Sequence, residues 1–253
     1  MKGKFFRPTF LSHDEIECDE DWFQGKGVYG GLIFAYFVEG LLSKSPFPIR
    51  SLQVELCRPL QAGRARYSFS LMCRGSSTEF WQAVLYQEDR VVAMTTAVMG
   101  QQRNALYDKQ EHFFPNVPSY QEVLPIPYNP IMPQFCRHIS YRLCIGEAPF
   151  SRCSSSKTGG WIDFHDNQSS NNYACVVALI DAWWPSMVLY MRNMHYLGTV
   201  SFSCHFFAPF APPYLFVGQT RKLQDGYASE SNELWSADGN LVAIAQQLIA
   251  IIH

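Results

Sequence analysis

The chain has 253 residues, of which 47% are hydrophobic, 15% aromatic and only 17% charged, with a net charge of -2. Such a composition supplies ample apolar material for a core, and its balanced charge excludes the clustered excess of base that marks a nucleic-acid partner. The length suits one large domain or two of roughly 125 residues.

In chain order, FFRPTF reads as a first strand and the acidic DEIECDED as its exit. The N-terminal segment has basic residues but no apolar stretch of the signal-peptide kind, so no leader is expected. The next run, QGKGVYGG, places Gly25, Gly27 and Gly30 at G-x-G-x-x-G spacing. A dinucleotide site needs a hydrophobic strand before that motif and β-α-β alternation after it. Here acidic residues precede it and a train of strands follows. The competing reading is a helix opening at Gly30 and Gly31, whose free N–H groups can hold a carbonyl or oxyanion. The plainest is that the two glycines serve close helix–sheet contact.

After the helix LIFAYFVEGLL come SLQVELCRPL, ARYSFSLMCRG, TEFWQAVLYQED and RVVAMTTAVMG, an antiparallel meander of four strands. Residues 101–134 hold Pro115, Pro118, Pro125, Pro127, Pro130 and Pro133, which forbid a sustained helix or central strand, so this stretch is expected to join an N-terminal domain (1–100) to a C-terminal one (135–253). FCRHISYRLCIG and GGWIDFHD then read as strands, and residues 166–171 as a loop rich in helix-capping types. Tyr173–Tyr190 (YACVVALIDAWWPSMVLY) reads as a buried helix with one ionisable residue, Asp181, at its centre. That carboxylate and the following Pro185 argue against a membrane span. A lone buried carboxylate costs several kcal/mol unless paired, so Asp181 either works chemically or caps a neighbour or leans to solvent. The strands TVSFSCHFFAPF, YLFVGQTRKL, ASESNELWSADG and NLVAIAQQLIAII close the chain.

The two halves superimpose. Pro59 and Val92-Ala93 of the first stand at the same separation as Pro209 and Val242-Ala243 of the second, so the domain is duplicated. One helix and a strand meander, twice, predicts an α+β tandem hotdog, two antiparallel sheets each wrapping a long central helix.

With that layout, Val28-Tyr29-Gly30-Gly31, Arg58-Pro59, the Asp181 segment, Thr199-Val200-Ser201-Phe202-Ser203 with Pro209-Phe210, and Val242-Ala243 with Gln246-Gln247 resemble the double-hotdog acyl-CoA thioesterases, the family of bacterial thioesterase II. The resemblance covers nearly the whole chain. It implies that Asp181, Thr199 and Gln247 orient and activate a water; apart from the resemblance, free N–H groups at Gly30 and Gly31, with Tyr29 beside them, are expected to bind the thioester carbonyl oxygen as charge develops on it. The resemblance implies an acyl-CoA substrate, fatty or aromatic, no cofactor beyond the CoA of that substrate, and a homo-oligomer. The chain departs from the family at Leu32, where Gln is frequent, and at Trp183-Trp184-Pro185.

Alternatives stand beside each position. Strand alternation lets only one of Gln246 and Gln247 face the helix. Thr199 is an ordinary strand former. Glu39 is a carboxylate of the kind single-hotdog thioesterases use, but one residue further from the glycine pair, a rotation of about 100°. Tyr29, Phe34, Trp183, Trp184 and Phe202 could line an acyl pocket or be core. The eight cysteines are scattered without a C-x-x-C pair, as reduced thiols of a cytoplasmic protein. His195 and His205 lack metal-ligand spacing, so no metal is expected. There is no G-x-S-x-G nucleophile elbow. Asn167-Gln168-Ser169 spells a glycosylation sequon that a cytoplasmic chain would not use. The reading from a different class is a non-catalytic acyl-binding hotdog.

Overall fold

The computed structural model describes residues 11–252 apart from 13, 105–106, 108, 166–171 and 208–209. The FFRPTF strand, the 166–171 loop, the sequon and Pro209 lie outside the described residues. The first described strand is β1 (Glu15–Cys18), inside the run expected to be an exit: Ile16 and Cys18 alternate inward and it pairs with the edge of the sheet.

A two-residue turn at Gly25-Lys26 joins β2 (Phe23–Gln24) to β3 (Gly27–Val28). Helix α1 (Gly30–Lys44) follows, and then β4 (Ile49–Leu56), β5 (Gly63–Arg74), β6 (Thr78–Gln87) and β7 (Arg90–Gly100). The second half contains β8 (Ile139–Ile145), β9 (Thr158–Phe164), α2 (Tyr173–Ala182), β10 (Tyr196–Phe206), β11 (Tyr214–Gln224), β12 (Tyr227–Ser236) and β13 (Leu241–Ile252). Every strand pairing is antiparallel, which removes the dinucleotide reading. Gly25 (φ 64°) instead serves the hairpin turn, and Gly27 admits the Leu60 carbonyl, which accepts from the Val28 N–H at 2.8 Å.

Two expectations are corrected. The halves do not form two sheets: β4 pairs with β10, giving one eleven-stranded sheet in the order β1-β5-β6-β7-β4-β10-β13-β12-β11-β9-β8. The second helix is also not long. It ends at Ala182 because Trp183 turns extended two residues before Pro185, which has no N–H and excludes helical conformation just ahead of it; a short 3-10 turn, Ser186–Leu189, follows. Asp181 therefore sits in the last turn of a ten-residue helix rather than at the centre of a long one.

Both helices are apolar almost all round and buried, as core helices must be. They pack on each other in opposite senses: the start of α1 meets Ala178 and Asp181, whereas Glu39 further along acts on Cys175 near the start of α2. The duplication is exact in hydrogen bonding at one diagnostic place, where the Cys57 N–H donates to the Val92 carbonyl and the Phe207 N–H to the Val242 carbonyl, both at 2.8 Å.

The Pro-rich stretch is no free tether. Phe114, Val117, Tyr120 and Val123 cover Trp161, Leu215, Val217 and Trp235 of the second half, the Trp161 indole donates to the Pro118 carbonyl at 2.9 Å, and the Arg142 guanidinium lies 4.0 Å from the Tyr120 ring centre. Among the described residues no helix is long and apolar enough to cross a membrane. The eight cysteines are free, with Cys18, Cys136, Cys175 and Cys204 buried, and both His195 and His205 are exposed.

Candidate active site

Asp181 projects from the last turn of α2 toward the start of α1. Its Oδ1 accepts from Gln247 Nε2 at 2.7 Å, and the Gly31 backbone N–H donates to the carboxylate as well. A Cβ built on Gly30 would stand 3.0 Å from Asp181 Oδ2, a tight contact that would press the carboxylate back by a few tenths of an ångström, so the glycine gives it room against the opening of α1. Asp181 keeps partial solvent access, yet its surroundings are apolar. Burial pushes its carboxyl up from the ordinary range to about 8, against the pull of Gln247 and Gly31.

Two tyrosines clamp the end of α2. The Tyr29 hydroxyl donates to the Ala178 carbonyl, inside the helix, and the Tyr141 hydroxyl donates at 3.0 Å to the Ala182 carbonyl, one that the terminating helix leaves open. Tyr29 is fully buried and its ring stacks on Phe135 at 4.1 Å, so its hydroxyl is committed to the helix. The Gly31 N–H is likewise taken by Asp181, unlike the free pair expected, while the Gly30 N–H has no hydrogen-bond partner among the described residues.

On β13, alternation puts Ala245, Gln247 and Ile249 inward and leaves Gln246 and Leu248 exposed. Thr199 of β10 pairs with inward-facing Ile249, two residues along from Gln247, and a bulge at Val200 follows it. Thr199 is thus on the Gln247 face, with no direct hydrogen bond to Asp181 or Gln247. Glu39 is nine residues beyond Gly30, about 13 Å of helix rise away, and its charge is felt at Cys175 rather than at Asp181. Of the aromatics, Phe34 and Phe202 stack at 4.2 Å and are fully buried, and Trp183 is core against Phe216; Trp184 retains partial exposure.

One residue that reading the strands did not single out is Glu230, which is 2% exposed and stands directly across from Gln247 on β12. The signal was there: alternation along YASESNELW puts Ala228, Glu230, Asn232 and Leu234 on one face, two of them polar among core positions. Among the described residues no group of three or more His, Cys, Asp or Glu is placed to hold a metal ion. A cavity of about 440 Å³ opens by Arg50, Thr78, Gly100 and Arg103 and shares no lining residue with the carboxylate site.

A half-buried carboxylate at the helix–helix seam, held by an amide from the sheet, is where the two halves of this hotdog fold meet. The acyl-CoA thioesterase C-terminal domain family matches residues 110–251 and the N-terminal domain family residues 18–100, so the chain belongs to the acyl-CoA thioesterase family. Solved structures share the fold across nearly full length. A conserved protein of unknown function with a hot dog fold from Alicyclobacillus acidocaldarius is 22% identical (TM-score 0.88, covering 98% of this chain and 96% of that one). A candidate thioesterase II from Thermobifida fusca is 18% identical (TM-score 0.84, 98% and 96%). The acyl-CoA thioesterase II TesB2 of Mycobacterium marinum is 13% identical (TM-score 0.77, 98% and 96%). No curated protein matches this sequence. At these identities the structural likeness speaks for fold alone.

Proposed function

We propose that this chain hydrolyses an acyl-CoA, fatty or aromatic, to the free acid and CoA, with Asp181 as general base. The observation that carries the reading is the 2.7 Å bond from Gln247 to an Asp181 carboxyl that burial holds near neutrality, since a base works best when its pKa lies near the working pH. In the step, Asp181 takes a proton from water as the water oxygen bonds to the thioester carbon. The tetrahedral adduct then expels CoA by breaking the C–S bond, and the thiolate takes the proton back. Thr199 and Gln247 hold the water, and the Gly30 N–H is the donor left for the developing oxyanion at the positive end of α1. A thioester is activated enough for water attack, so no Ser or Cys nucleophile is invoked.

The second reading, an acyl-CoA binder without turnover, is favoured by one observation: the Gly31 N–H is engaged by Asp181 rather than open to a carbonyl. Release of free thiol from acyl-CoAs of graded chain length, with wild type beside Asp181→Ala, separates the two. Turnover that collapses in the variant supports the base assignment. Binding without turnover in the wild type supports the binder.

A further inference from the structure

Glu230 takes no part in the proposed step, yet it is among the most buried charged side chains in the protein. Its Oε2 accepts from the Ser186 N–H at 3.0 Å; its Oε1 accepts from the Met187 N–H at 2.9 Å and from the Thr220 hydroxyl at 3.1 Å. Ser186 and Met187 open the 3-10 turn that follows α2, and the residue before them, Pro185, offers no side-chain cap. A carboxylate from the sheet therefore supplies the cap that the local sequence lacks. Thr220, Glu230 and Gln247 are successive rungs across β11, β12 and β13, on one face. The row continues through Gln247 Nε2 to Asp181.

The corresponding row of the first half is Leu52, Ala97 and Trp81, aligned on the Val92-Ala93 and Val242-Ala243 register, against Phe202, Gln247 and Glu230 in the second. The fold closes in that half without a carboxylate at this rung. The fold thus does not require Glu230 at this rung; its carboxylate ties the turn after Asp181, through Ser186 and Met187, to Thr220 of β11, one strand away from the rung it shares with Gln247.

We infer that Glu230 is a positioning residue for Asp181, fixing the segment after α2 so that the carboxylate meets Gln247 in a water-poor pocket. This rests on the thioesterase reading for its kinetic consequence and on geometry alone for its structural one. The titratable groups facing Asp181 are Tyr29 from the start of α1 and Tyr141 from β8, with Cys136 beside both tyrosines. Burial pushes all three up, so each stays neutral around pH 8. Loosening the turn admits water, which drives the Asp181 midpoint down.

The test compares wild type, Glu230→Gln and Asp181→Asn by two readouts: kcat and KM over pH with an acyl-CoA, and direct titration of the Asp181 carboxyl by carbon NMR. In Glu230→Gln the proposal expects kcat to fall about 10- to 100-fold with KM within about threefold. It also expects the acid limb and the Asp181 titration to move together to lower pH. A folded Glu230→Gln with unchanged titration and kcat overturns it, as does a loss confined to KM. Should Glu230→Gln not fold, Thr220→Val decides, because it removes only the hydroxyl donor: a smaller shift in the same direction supports the proposal, and an unchanged midpoint sinks it. A wild type without turnover whose Asp181 titration still moves in Glu230→Gln upholds the positioning role and overturns the thioesterase reading instead.

Discussion

On β7, Ala93 lies between Leu85 and Leu56; on β13, Ala243 lies between Leu234 and Phe206, and the two ladders run in step from there. Both first strands of the pairs even carry a bulge at the same rung, after Ile49 in one half and after Thr199 in the other. Along this shared register the first half presents Ile49, Ala97 and Trp81 where the second presents Thr199, Gln247 and Glu230. Buried polar groups rarely improve stability over well-packed apolar ones. The first half shows that the fold closes at these rungs without polar side chains, so those of the second half are there for something other than closure. Among its described residues the first half buries one acid, Glu79, but resolves it differently. Burial pushes that carboxyl up, while Ser45, Trp81 and Arg74, the last at 2.8 Å, outweigh it and hold it below the usual range. Glu79 is ion-paired; Asp181 has only neutral donors.

The sharpest way to break this contrast is to remove each half's helical carboxylate in turn. Asp181→Asn is expected to lower kcat/KM for acyl-CoA by about a thousandfold or more, the scale of losing a general base with its water. Glu39→Gln should leave it within about threefold. Thiol-release kinetics that reversed the two would transfer the working site to the other end of the helix pair. Removing the polar groups that the first half lacks comes next: Gln247→Ala, which copies Ala97, and Thr199→Val, which takes away only the hydroxyl, are each expected to cost about 10- to 100-fold in kcat, with the circular dichroism spectrum unchanged.

The two acids also predict opposite pH dependences of stability. Asp181 titrates at about 8 in the fold and near 4 in an unfolded chain, so the folded state holds its proton more tightly. Its contribution is full below about pH 4 and is lost as pH rises through about 8. Glu79, held low, contributes above its ordinary pKa and loses that contribution as pH falls. Between pH 5 and 8.5, denaturant unfolding of wild type should lose about 2 kcal/mol more than Asp181→Asn does, allowing for the partial exposure of the carboxyl. Equal slopes for the two proteins would mean that Asp181 is ionised at ordinary pH.

Periodicity located most strands, the first helix and the duplication, because those depend on local alternation and on repeated spacing. It could not reveal that the two sheets merge, since the β4–β10 pairing joins residues far apart in the chain. The expected long second helix stops at Trp183: an apolar run reads the same whether helical or not, and Pro185 is the one local residue that marks where the helix must end. At the site, Asp181 and Gln247 stood out as polar residues in apolar runs. Their direct bond, the use of the Gly31 N–H and the clamp by Tyr141 are tertiary and carry no local signature.

The smallest effect expected is the most exacting check on this geometry. Gln246 and Gln247 are neighbours with the same side chain, and only the pleat distinguishes them. Gln246 pairs with Ser203 and Ser231 and faces solvent, whereas Gln247 pairs with Phe202 and Glu230 and faces the core. Gln246→Ala is therefore expected to leave kcat/KM within about twofold and stability within about 0.5 kcal/mol, as surface changes do. A one-residue slip of β13 would exchange the two faces. It would make Gln246→Ala costly and Gln247→Ala harmless, and would also expose Ala245 and Ile249, which the core now buries. Measuring both variants side by side thus reads the register of the strand through its chemistry.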